Sequence, residues 1–256
     1  MAKIIAVSNQ KGGVGKTTTS VNLAASLAAM GHRALLIDFD PQRNASVGVS
    51  IKNKKDEVYS LLVGRSAFES VVYETFIPNF FIIPSSADLA AADMEFASTP
   101  GRESILKRAI AENVLLFDYT VIDCPPSFGF LSLNALVAAD AVLVPLQCEY
   151  YALEGLVTLL DNISRVKKRY NSRLVLEGIV LTMHDKRSSL SRQIEDDVRA
   201  NIKDKVFNTV IPRNVKIAEA PSHGKPIMFY DLKCPGSVAY MELALEFLKR
   251  EKESSL

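Results

Sequence analysis

A chain of 256 residues with 48% hydrophobic and 23% charged side chains has the composition of one large folded α/β domain. Its 30 basic and 29 acidic residues leave a formal charge of +1, so any nucleic-acid contact must come from a local patch. Three scattered cysteines (Cys124, Cys148, Cys234) without CxxC spacing exclude a disulfide framework and a cysteine metal cluster. No apolar run reaches the roughly eighteen residues of a membrane span, and the N-terminus lacks a signal-peptide layout, so a cytoplasmic location is expected.

Residues 3–9 read as a buried strand and residues 21–30 as a helix. Between them stands Gln10-Lys11-Gly12-Gly13-Val14-Gly15-Lys16-Thr17-Thr18. A strand, a glycine-rich turn and a helix opening on Gly-Lys-Thr form a phosphate-binding loop. Glycines let the backbone approach an anion, and successive N–H groups converge at the positive end of the helix. Lys16 is expected to reach the outer phosphates of a nucleotide, and the Thr17 hydroxyl to ligate magnesium. The usual spacing would put glycine at position 10, which is glutamine, and a second lysine, Lys11, follows it. One triphosphate does not require two lysines. By spacing alone, Lys11 is either a solvated surface charge or a further functional cation.

Residues 33–38 read as a second buried strand that stops in Asp38-Phe39-Asp40-Pro41-Gln42. In open α/β sheets, ligands sit beyond the carboxyl ends of strands. The segment is therefore either a solvated turn or a mobile loop carrying a magnesium-binding or water-orienting carboxylate. Residues 44–78 are less legible: a short helix at 58–63 and an exposed lysine-rich loop at 52–55 are expected. A strand at 80–84, a helix at 87–97, a break at 98–101 and a helix at 102–113 follow. Residues 119–123 form a strand ending in Asp123, placed about a hundred residues after the loop, as the acidic magnesium position of phosphate-loop nucleotidases is. Cys124 beside it reads as a small buried hydrophobe.

Further on, strands are expected at 141–145, 174–182 and 206–211. A helix at 151–170 presents Leu156, Leu159, Leu160 and Ile163, and one at 188–201 turns Leu190, Ile194 and Val198 inward. A closing helix at 237–249 aligns Val238, Met241, Leu245 and Leu248. Such alternation predicts a single α/β domain over 1–256: a mostly parallel twisted sheet with helices on both faces.

KGGVGKTT, DFDPQ, DCPPS, PLQCEYYALEGL and IPRNVKIAEAPSHGKP together resemble the ParA/Soj family of chromosome- and plasmid-partitioning ATPases over nearly the whole chain. The resemblance implies a deviant Walker A phosphate-loop ATPase that binds ATP and Mg2+ and forms a nucleotide-sandwich homodimer. Lys11 matches the signature lysine that crosses to the other subunit's phosphates. Asp40 matches the carboxylate positioning the attacking water and also enters the metal set with Thr17 and Asp123. Pro212 and Asn214 match adenine contacts. The ATP-bound dimer of the family binds double-stranded DNA non-specifically, through positions matching Arg187 and Lys216, with Lys186 and Lys225 as further candidates. Hydrolysis is slow and stimulated by a ParB/Spo0J-type partner, and the expected location is the nucleoid.

Three departures stand out: Arg43 replaces the glycine that commonly follows DPQ, Ala45-Ser46-Val47 replaces a more threonine-rich continuation, and the loop begins so near residue 1 that no N-terminal helix-turn-helix domain is expected. His184 and His223 read as structural, and the segment around Cys148 and Glu149 as structural or near a dimer face. The alternative is a MinD-like membrane-cycling ATPase. That would want an amphipathic C-terminal helix, whereas the last turns here are charged and serine-rich, so no stable membrane association is expected.

Overall fold

The structure, a computed structural model, describes residues 2–51, 54–150 and 152–254. Lys52 and Asn53 of the expected exposed loop, Tyr151 at the expected start of the long helix, and the last two residues lie outside them.

Among the described residues seven strands form one sheet in the order β3-β4-β2-β5-β1-β6-β7. They are β1 (Lys3–Val7), β2 (Ala34–Asp38), β3 (Tyr73–Glu74), β4 (Phe80–Ile83), β5 (Tyr119–Asp123), β6 (Ala141–Gln147) and β7 (Val175–Thr182). The two-residue β3 pairs antiparallel with β4, and the other strand pairings are parallel among the described residues. The interior strands are buried on both faces, which is why they read as unbroken apolar runs. Successive residues of β2 enter opposite cores: Leu35 and Ile37 one, Ala34 and Leu36 the other.

The first core packs beneath α3 (Val58–Leu62), α5 (Ala92–Glu95), α6 (Ile105–Ile110), α7 (Phe130–Ala138), α8 (Ala152–Arg169) and α9 (Ser189–Ile202). The second packs beneath α1 (Lys16–Ala29) and α12 (Pro235–Ser254). Short helices α2 (Asn44–Gly48), α4 (Phe68–Val71), α10 (Val215–Glu219) and α11 (Ile227–Tyr230) complete the chain. In α8, Leu156, Leu159, Ile163 and Val166 are buried, each contributing about 1.5–3 kcal/mol of burial as an upper bound. Among the described residues no helix is long and apolar enough to cross a membrane.

Several expected elements differ. The expected strand at 206–211 is not a strand. The Phe207 and Ile211 amides donate to β7 at 2.9 and 2.8 Å, but the Asn208 and Thr209 amides donate instead to the Glu246 carboxylate, which interrupts the ladder. Residues 87–97 open as a 3₁₀ helix (Ala87–Ala91), because Leu89 and Ala92 are the buried positions and their spacing of three suits that geometry. In the expected helix at 102–113 only α6 is α-helical. Its Leu106 amide is capped across the core by Asn134 of α7, a helix the sequence does not suggest. In α12 the buried face is Ala239, Tyr240, Leu243, Ala244 and Phe247, while Val238 and Leu245 are exposed. Leu190 of α9 is likewise exposed.

Candidate nucleotide site

β1 ends between β5 and β6, and the segment from Asn9 to Gly15 turns there into α1. Gly13 and Gly15 take φ of 74° and 88°, a left-handed conformation that a side chain would strain. A Cβ built at Gly12 or Gly13 would meet nothing within 4 Å, so the space beside the loop is open at both positions. The loop is pinned from below. Asn9 donates to the Pro145 carbonyl at 2.8 Å and accepts the Lys11 amide at 3.1 Å, while the Thr182 hydroxyl donates to the Val14 carbonyl at 2.8 Å.

The two lysines have opposite settings. Lys16 is buried and donates to the Lys11 carbonyl at 2.9 Å, closing the loop on itself. Burial lowers its pKa, opposed mainly by the Asp123 charge. The Lys11 side chain is 42% exposed and leaves the loop to meet Glu149 Oε2 at 2.5 Å. Gln147 donates to the other Glu149 oxygen at 2.5 Å, holding the acid in place. Nothing in the sequence spacing links residues this far apart, so Glu149 is a partner that only the fold reveals.

Asp123 and Asp40 act on the inward lysine, and Asp38 lies beside Asp123. Asp38 and Asp123 are partners in the β2–β5 register, and both are completely buried. Asp38 accepts the Ser46 amide and hydroxyl at 2.7 and 2.6 Å. Asp123 Oδ1 accepts the Ser20 hydroxyl at 2.8 Å, and Thr17 lies close enough to favour its ionised form. Burial raises the pKa of each carboxyl, and for Asp123 the Asp38 charge adds to the shift. Asp40, 6% exposed, accepts the Gln42 amide at 3.0 Å and adds its charge to the same cluster. Desolvated carboxylates side by side are costly unless cations complete them. Asp123 Oδ2 is buried and has no hydrogen-bond partner among the described residues, so this oxygen and Thr17 fit a divalent cation. Asp38 is visible in the sequence as half of a D-x-D pair, but only the sheet register shows that it sits against Asp123.

Beyond the loop lies a cavity of about 500 Å³, lined by Gly15, Thr18, Met183, Pro212, Asn214 and Tyr240 among others. Asn214 Oδ1 accepts the Lys216 amide at 2.9 Å and so caps α10, which leaves its Nδ2 as a donor toward a ligand. Met183, in the left-handed region at φ 50°, carries no signal in the sequence. The lining suits a flat, largely apolar group joined to phosphates at Gly15.

The candidate basic residues separate. Arg187 is 91% exposed and makes two hydrogen bonds of 3.1 Å to Asp185, whose carboxyl is held down at about 2 by them. It lines a groove of about 1140 Å³ with Lys186, Arg213 and Lys233, and with the acids Glu195 and Glu242. Arg213 and Lys233 join it only through the fold. Lys216 lies outside that lining and pairs with Glu219 at 2.9 Å, while Lys225 lines a different hollow beside Thr17 and Thr18. His184 is buried with Nε2 3.0 Å from Glu195, and His223 stacks on Tyr230. Cys124 is fully buried, and burial pushes its thiol up beyond its ordinary range.

Comparison with known proteins agrees with this geometry. The AAA_31 family model, described as an AAA domain, matches residues 2–176. A chromosome partitioning protein ParA of Caulobacter vibrioides is 48% identical, over 98% of this chain and 96% of that protein. A chromosome-partitioning ATPase Soj of Treponema pallidum is 48% identical, over 98% and 99%. Among solved structures, cobyrinic acid a,c-diamide synthase from Mycobacterium smegmatis with a bound ATP analogue and magnesium superposes with a TM-score of 0.88 at 36% identity, over 99% of this chain and 97% of that one.

Proposed function

Because this chain belongs to the ParA/Soj family of partitioning ATPases, we propose that it hydrolyses ATP in a homodimer whose subunits share each active site. The ATP-bound dimer holds double-stranded DNA without sequence preference, on the nucleoid, until a ParB-like partner triggers hydrolysis and resets it. The observation that carries this reading is the division between the two lysines: Lys16 turned inward to the carboxylates, Lys11 turned outward to the rim. A ligase role like that of the M. smegmatis synthase is disfavoured, since identity is higher to the partitioning proteins over the same length.

Each residue then has a task. The amides from Gly12 to Thr18 cradle the phosphates and Lys16 draws the outer ones inward. Thr17 and Asp123 would hold magnesium, with Asp40 at the same cluster. When bound, the ion would neutralise negative charge on the phosphate oxygens flanking the bond that hydrolysis breaks. Asp40 orients the attacking water, and Pro212 and Asn214 hold the base. Lys11 must leave Glu149 to reach a partner's phosphates. An exposed ion pair is worth about 0–1 kcal/mol. A hydrogen bond to a charged group contributes about 1.5–3 kcal/mol. The exchange therefore favours the dimer whenever ATP is present.

DNA contact falls to the groove of Arg187, Lys186, Arg213 and Lys233, with Lys216 nearby as a lesser contributor. Phosphate contacts of this kind give affinity that falls steeply with salt. Arg187→Glu should weaken ATP-dependent binding of a mixed-sequence duplex by about tenfold or more, and flatten the log–log salt dependence by about one unit for each DNA phosphate no longer neutralised. Fluorescence anisotropy between about 50 and 200 mM salt measures both. Unchanged affinity, or binding indifferent to salt in the unaltered protein, would remove the groove from the account.

A further inference from the structure

A second, smaller cavity of about 90 Å³ lies beside the switch segment, between α2, the end of β4 and Lys54. Arg43, Lys54, Ser46 and Ser85 supply its polar lining, with Val47 and Pro84 among its apolar walls. It is far smaller than the cavity of about 500 Å³ beyond the phosphate loop, a size that suits a small anion better than a nucleotide.

Three features of this lining are unexplained by the nucleotide site. Arg43 sits at φ 59°, a left-handed conformation that strains any residue with a side chain. Strain of this kind persists where surrounding structure imposes it and is a pointer to function. Among the described residues, neither Arg43 nor Lys54 has a carboxylate partner, and Lys54 only lies over the Tyr73 ring at 4.6 Å. Ser85 is 7% exposed, and its hydroxyl is buried without a partner. Ser85 lines this cavity, and its buried hydroxyl, beside two cations without a carboxylate partner among the described residues, is a donor in want of an acceptor. Asp38, the acid tied to this lining, already receives two donors from Ser46, and the Ser85 amide donates to that Ser46 hydroxyl at 3.1 Å.

We propose that this cavity is a binding site for inorganic phosphate, separate from the phosphate loop, in which Arg43, Lys54 and the Ser85 hydroxyl hold the anion. The Arg43 amide donates to the Asp40 carbonyl at 2.9 Å, and the Val47 amide to the Arg43 carbonyl at 3.0 Å. An anion on Arg43 thus fixes the segment that carries Asp40, and the phosphate released by hydrolysis acts back on that segment. The effect on turnover rests on the ATPase reading, whereas the binding itself does not.

The test is calorimetric titration of inorganic phosphate into the full chain saturated with ADP and Mg2+, which fills the phosphate loop. One phosphate per protomer is expected. Arg43→Gly, which also relieves the backbone, should weaken it about tenfold or more, and Ser85→Ala should weaken it severalfold. Lys16→Ala, titrated without ADP, should retain it, and that arm decides the site even if ADP does not bind. Thermal melts establish that each variant is folded. No binding to the unaltered chain, equal binding to Arg43→Gly and Ser85→Ala, or loss with Lys16→Ala would each overturn the site.

Discussion

Lys11→Ala is expected to abolish ATP-dependent dimerisation while leaving nucleotide binding within about twofold. The structure separates the backbone of this residue from its side chain. Its amide and carbonyl brace the loop through Asn9 and Lys16, and these bonds survive truncation of the side chain. Its ammonium is exposed at the rim and engages Glu149 rather than any group of its own loop. In a two-fold dimer each lysine contributes once, so truncation removes two charge-assisted bonds to phosphate together. At about 1.5–3 kcal/mol each, less about 0–1 kcal/mol for the Glu149 pair that each replaces, that is about 1–6 kcal/mol, or roughly 10–10⁴ in the dimer dissociation constant. Gel filtration with light scattering in ATP should show a monomer. A normal ATP dimer would remove Lys11 from the interface.

Asp40→Ala should instead trap the dimer. Orienting and activating the attacking water contributes about 10²–10⁴ in rate, so turnover should fall by at least about a hundredfold and the ATP dimer should outlive its normal span by a like factor. Asp40 also accepts the Gln42 amide, so the alanine variant loosens the loop as well as removing the charge. Asp40→Asn keeps that acceptor. If the two variants lose activity equally, the carboxylate acts on water; if only alanine is impaired, Asp40 is a loop brace. An unchanged single-turnover rate in both would refute its role.

The parts of the site carried by strand ends are legible in the sequence. An apolar run that stops in Asp123 or Asp38 announces both a buried strand and the group at its tip, and Gly-Lys-Thr announces the loop. What stays hidden is set by pairing across the sheet and by contacts between distant segments. The Asp38–Asp123 register, the Glu149 latch on Lys11 and the Met183 wall are each invisible to local periodicity. The buried face of α12 differs from the expected one for a related reason. Apolar residues lie on two stripes of this helix, and the one that wins carries the larger anchors. Tyr240 is buried with its hydroxyl 3.3 Å from Thr19, and Phe247 packs edge-on to Tyr119. Periodicity ranks the stripes equally, whereas aromatic burial does not. The expected strand at 206–211 gives way to a single acid, Glu246, which draws two amides away from the ladder.

The central claim, that Lys11 acts on the partner's nucleotide, is tested most directly by mixing two inactive variants. In a heterodimer of Lys11→Ala with Lys16→Ala, the nucleotide held by the first subunit meets its own Lys16 and the second subunit's Lys11, so one complete site is rebuilt. ATPase activity of the equimolar mixture should rise well above the sum of the two variants measured alone. Activity equal to that sum, with heterodimers demonstrated in the mixture, would show that Lys11 serves its own subunit and would contradict the shared site.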